Sequence, residues 1–120
     1  MATIETRAVF KAASDIAGIL SLNYNKNKKI TITTTTGETV DLTTGGTEIV
    51  STGETKSTFV YVSNNGSTNK VELKTVGGVK WGVIEPGDWT FVTVPAGVGL
   101  SVYSSASTTQ ASYLTMTRST

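Results

Sequence analysis

Thr58-Phe59-Val60-Tyr61-Val62-Ser63-Asn64-Asn65-Gly66-Ser67-Thr68 is the stretch whose reading decides the fold of this chain. Its first five residues are β-branched or aromatic and apolar on both alternating faces, as expected of a strand set centrally in a sheet. Asn65-Gly66 follows, a dipeptide that tolerates the positive φ of a type I′ turn and so predicts a hairpin into the next strand. Downstream, Val71-Glu72-Leu73-Lys74 alternates apolar and charged residues, a half-exposed strand. Glu85-Pro86-Gly87-Asp88 has proline and glycine where a type II turn needs them and predicts a second hairpin. Gly45-Gly46, Gly77-Gly78 and Pro95-Ala96-Gly97-Val98-Gly99 are further breaks.

Working outward, short β-patterned runs recur about every 8–12 residues, which indicates an all-β protein, an antiparallel β-sandwich or jelly-roll with an extended N-terminal segment. The predicted strands are 18–24, 29–35, 38–43, 48–52, 58–64, 69–75, 79–85, 88–94, 98–104 and 112–118. A single sandwich domain over 18–120 is preceded by an N-terminal arm or edge strand over 1–17. The chain has 120 residues, enough for one core. That core is expected to contain Phe59, Tyr61, Val71, Leu73, Trp81, Phe91, Leu100, Val102 and Leu114, so that Trp81→Ala costs about 3–5 kcal/mol.

Composition restricts function. The chain has no histidine and no cysteine but 23 threonines, six of them between Thr31 and Thr39. The usual proton shuttle and the strongest neutral-pH nucleophile are therefore missing. No nucleophile elbow, Gly-rich phosphate loop or calcium-loop pattern is present, and Asp15, Asp41, Glu72, Glu85 and Asp88 have no metal-ligand spacing. The expectation is a non-enzyme without cofactor or metal. A formal charge of +1 gives no electrostatic case for nucleic acid. No signal peptide or membrane span is expected, because the longest apolar stretch near the start, Ile16 to Leu20, is short and interrupted by Gly18.

Two surfaces stand out as interaction candidates. Ile30 and Ile32 alternate with Thr31, Thr33 and Thr35, which puts a row of hydroxyls on a face turned to solvent or a partner. Ile4, Val9 and Phe10 lack a clear strand register and would gain by burial on a neighbouring chain. Trp81, Trp89, Phe91, Tyr61 and Tyr103 could form a sugar-stacking platform. Trp81, however, is in step with Val79 and Val83, and Trp89 with Phe91, which assigns them to core packing. Asn65-Gly66-Ser67 matches a glycosylation acceptor, but the turn explains the same residues and is the preferred reading. Thr31-Ile32-Thr33 resembles an ice-matching motif but is not repeated.

The succession Phe59 to Thr68, Val71 to Thr75, Trp81 to Asp88, Phe91 to Pro95 and Val98 to Tyr103 resembles small virion proteins of tailed bacteriophages, over roughly half the chain. The likeness lies in turn grammar rather than a catalytic signature. It implies a head-decoration, cement or tail-associated subunit, assembled in the host cytoplasm as a homo-oligomer. Its partners would be other virion proteins, such as the major capsid or tail protein. The alternative is a carbohydrate- or receptor-binding module of a phage fibre, with a glycan as ligand.

Overall fold

The computed structural model describes residues 2–11 and 23–119, which form nine strands and, among these residues, no helix. They are β1 (Ala2–Lys11), β2 (Asn23–Leu42), β3 (Thr47–Val50), β4 (Thr58–Asn64), β5 (Val71–Lys74), β6 (Lys80–Ile84), β7 (Trp89–Val94), β8 (Leu100–Ser104) and β9 (Thr109–Arg118). Two antiparallel sheets, ordered β1-β2-β9-β4-β7 and β3-β8-β5-β6, pack as a β-sandwich. The expected strands 29–35 and 38–43 are one continuous β2, since Gly37 pairs with Leu114 inside the ladder instead of breaking it. The predicted 18–24 strand falls mostly outside the described residues, as do residues 12–17 of the predicted arm.

The core lies between the sheets and is aliphatic. Val60 and Val62 of β4, Val94 of β7 and Leu42 of β2 meet Val71, Leu73, Ile84, Leu100 and Val102 of the facing sheet. Four of the expected core residues, Val71, Leu73, Leu100 and Val102, are buried there. The others need correcting: Phe59, Tyr61 and Leu114 are only partly buried, and Trp81 and Phe91 are exposed. β4 and β7 are apolar on both faces, and the valine parity fills the interlayer space, which turns the aromatic parity outward.

Both expected hairpins are also corrected. β4 pairs with β9 on one side and β7 on the other, so neither edge is free for β5. The chain therefore crosses to the opposite sheet after Asn64. Gly66 and Asn65 are absent from the positive-φ residues, so no type I′ turn forms there. Glu85-Pro86-Gly87-Asp88 does form the local turn expected, with Gly87 at φ 81° and Asp88 N–H donating to the Glu85 carbonyl at 3.0 Å. It nevertheless carries the chain from β6 back to β7, between sheets. The hairpin within the smaller sheet is at Gly77-Gly78, where Gly78 (φ 95°) donates to Thr75 O at 2.8 Å.

Asn64 braces the two crossings. Its side chain is 1% exposed, and Nδ2 donates to Asn69 O (2.9 Å) and Ile84 O (3.0 Å) while Oδ1 accepts from Gly66 N–H (2.9 Å). Its own N–H donates to Asp88 O, and its carbonyl accepts from Gly87 N–H. One buried amide thus satisfies the backbone of the loops that leave and re-enter the larger sheet, groups that would otherwise be costly to bury.

Candidate functional site

The outer face of the larger sheet is built by the parity that the core rejects. Cross-strand register places Thr39, Ser112, Ser63 and Trp89 in one row and Gly37, Leu114, Tyr61 and Phe91 in the next. Met116, Phe59 and Thr93 form the third row, with Thr35 as the register partner of Met116. The rings lean on diagonal neighbours: Phe59 stacks on Phe91 with centroids 6.1 Å apart, and Tyr61 meets Trp89 at 5.9 Å. Trp89 is 64% exposed and Phe91 42%. No Asp, Glu, Lys or Arg stands in these rows.

Beside the rings runs an uncharged polar network. Asn65 Nδ2 donates to Ser112 Oγ at 2.8 Å, Ser63 Oγ donates to Asn65 Oδ1 at 2.8 Å, and Thr39 Oγ1 and Ser112 Oγ share a hydrogen bond at 2.9 Å. Flat apolar rings next to hydroxyls and an amide can cover an apolar partner while directing its hydrogen bonds.

Of the five aromatics that the sequence suggests as a platform, Tyr61, Trp89 and Phe91 come together here, and Trp81 and Tyr103 lie on the other sheet. Trp81 is 44% exposed, beside exposed Val79 and Val83, which corrects its assignment to the core. Tyr103 has the Lys74 ammonium 4.5 Å above its ring. Phe59 and Leu114, which the sequence assigned to the core, join this face, as do Met116 and the polar network, which the sequence did not single out. The shared odd numbering of residues 59, 61 and 63 and of 89, 91 and 93 was the available signal.

The other interaction candidates are placed by backbone alone. β1 pairs with β2 from Ala2↔Ile32 to Lys11↔Asn23, setting Ile4 opposite Ile30, Val9 opposite Asn25 and Phe10 opposite Tyr24. Thr31 pairs with Thr3. Thr33 lies at the register shift between Ile32 and Thr34, where β2 passes from pairing with β1 to pairing with β9. The side chains of Ile4, Val9, Phe10, Thr31, Thr33 and Thr35 lie outside the described part of the molecule.

A cleft of about 300 Å³ opens where β3 faces β2, β4 and β9, lined by Thr36, Thr58, Thr115 and Thr117 with Glu48 and Glu54. The Thr58 and Thr117 hydroxyls bond each other at 3.2 Å. Among the described residues, no cluster of three or more acidic residues is close enough to hold a metal ion. Elsewhere, Lys80 bonds Glu72 and holds its carboxyl below the usual range. Burial, followed by the hydrogen bond to Glu38, raises the Tyr113 phenol. No protein-family model matches the chain, and none of the curated proteins matches it.

Proposed function

We propose that this chain is a non-catalytic virion structural subunit, a capsid-decoration, cement or tail-associated protein of a tailed bacteriophage that attaches to other virion proteins. The observation carrying the proposal is the outer face of the larger sheet, where Trp89, Phe91, Tyr61, Phe59 and Leu114 share one uncharged surface. Contiguous apolar patches of this kind mark contact with a partner. The β1–β2 ribbon adds support, because β1 and residues 23–31 of β2 pair only with each other among the described residues. Two-stranded ribbons are marginal alone and gain by packing on a neighbour.

Mass spectrometry of gradient-purified particles tests membership of the virion directly. Wild-type chain should co-sediment with particles, and the Trp89→Ala/Phe91→Ser double variant should not. Removing residues 2 to 15 should weaken assembly more than it lowers the melting temperature. Absence of the chain from purified particles would refute the proposal.

The polar network of Thr39, Ser63, Asn65 and Ser112 beside Trp89 supports a second reading, a glycan- or receptor-binding module. Calorimetry with neutral oligosaccharides should then give a signal that Trp89→Ala abolishes while melting is unchanged. If no oligosaccharide gives a signal, that reading is refuted.

A further inference from the structure

Among the described residues, the sandwich has four sheet edges, β1, β7, β3 and β6. Three carry devices that discourage strand addition. β1 contains Glu5, Arg7 and Lys11. β3 is only four residues long, contains Glu48 and shifts register between Glu48 and Val50. β6 begins at Lys80 and faces a register shift between Leu73 and Lys74 of β5. β7 has none: Trp89-Thr90-Phe91-Val92-Thr93-Val94 is uncharged, contains no proline and pairs with β4 in unbroken register.

Backbone parity shows which groups this edge presents. Asn65 N–H donates to Gln110 O and Arg118 N–H to Ser57 O, so odd-numbered residues along β4 address β9. Asn64 addresses β7, through Asp88 O and Gly87 N–H. By the alternation of an antiparallel ladder, Thr90, Val92 and Val94 turn their backbone groups to β4, and those of Trp89, Phe91 and Thr93 face outward.

We propose that β7 pairs antiparallel with β7 of a second copy about a two-fold axis at Phe91, joining two larger sheets into one continuous sheet. This register sets Phe91 opposite its own copy and Trp89 opposite Thr93, and it engages all the outward-facing residues at once. A one-residue slip would set an outer-face residue against an inner-face one. The self-complementary edge suits an isologous dimer, the commonest oligomer. It also makes the aromatic faces of both copies a single band. The inference goes beyond the proposed virion role and does not depend on it.

The test is sedimentation equilibrium of the full chain together with two variants. Wild type should sediment as a dimer. Phe91→Lys sets like charges face to face on the axis and should raise the dimer dissociation constant at least about 100-fold with an unchanged circular dichroism spectrum. The chain has no cysteine, so Phe91→Cys supplies one thiol per copy. A hydrogen-bonded pair holds Cα atoms about 5.5 Å apart, with Cβ atoms wider than a disulfide prefers but within reach of a short bis-maleimide. Such a thiol-to-thiol reagent should therefore give a covalent dimer, which Thr36→Cys should not form. A monomeric wild type, a Phe91→Lys variant that stays dimeric, or a Phe91→Cys variant that does not cross-link overturns the proposal. Monomeric chain found in particles would sink the dimer and keep the virion role, and a dimer absent from particles would do the reverse.

Discussion

Replacing Asn64 by alanine tests whether one buried amide holds the two sheet crossings. The substitution removes hydrogen bonds to Asn69 O, Ile84 O and Gly66 N–H. Each is worth about 1 kcal/mol net, and a carbonyl left unpaired in a buried place adds about 1–3 kcal/mol. Ile84 O is the buried case, whereas the bonds to Asn69 and Gly66 are partly buried and can rehydrate. The expected loss is about 3–5 kcal/mol, or about 10–20 °C in melting temperature for a chain of this length. Urea unfolding followed by tryptophan fluorescence measures it. Asn65→Ala is the comparator: its bonds to Ser63 and Ser112 are exposed, so it should cost less than about 1 kcal/mol. Asn64→Asp extends the test, because a buried carboxylate would face two carbonyl oxygens. Its folded-state pKa would be raised above about 3.9, so the variant should be most stable in acid and lose stability as pH rises through the raised value. An Asn64→Ala loss below about 1 kcal/mol, or an Asn65→Ala loss exceeding it, would refute the reasoning.

Trp81→Ala and Trp89→Ala should each cost about 1 kcal/mol or less in thermal unfolding, well short of the loss for a buried tryptophan, since both rings are exposed. Gly46→Ala should destabilise by about 2 kcal/mol or more, because residue 46 has φ 80° and an added Cβ would fall 2.2 Å from the Tyr103 ring; Tyr103→Ala in the same background should recover part of the loss by calorimetry. Glu72 has a lowered carboxyl pKa through its hydrogen bond to Lys80, so its contribution is complete above about 4.5 and is lost as pH falls. A plot of melting temperature against pH should accordingly be flatter on the acid side in Glu72→Gln.

Local physics made much of this molecule legible from its residues. The β-branched and aromatic alternation of Thr58–Asn64 required a strand, and β4 has those bounds. Pro86 and Gly87 required a tight turn, and Gly87 adopts the positive φ that a type II turn demands. These outcomes depend on the conformational preferences of a few neighbouring residues, so the chain alone settles them.

Two matters were decided only in three dimensions. Turn chemistry sets how the chain reverses, but not which strand it meets afterwards. With β9 and β7 on both edges of β4, the segment after Asn64 had to cross to the facing sheet; the segment after Glu85 crosses back even though β6 is an edge strand, because β7 pairs with β4. The side facing the core was equally undetermined, since β4 and β7 offer valines on one parity and aromatics on the other, both apolar. Packing against Val71, Leu73, Leu100 and Val102 selected Val60, Val62 and Val94 for the interior. That selection left Phe59, Tyr61, Trp89 and Phe91 on the surface, where a hydrophobic pattern by itself would have buried them, because hydrophobicity measures a side chain's preference for leaving water and not which of two apolar faces finds another sheet to cover it.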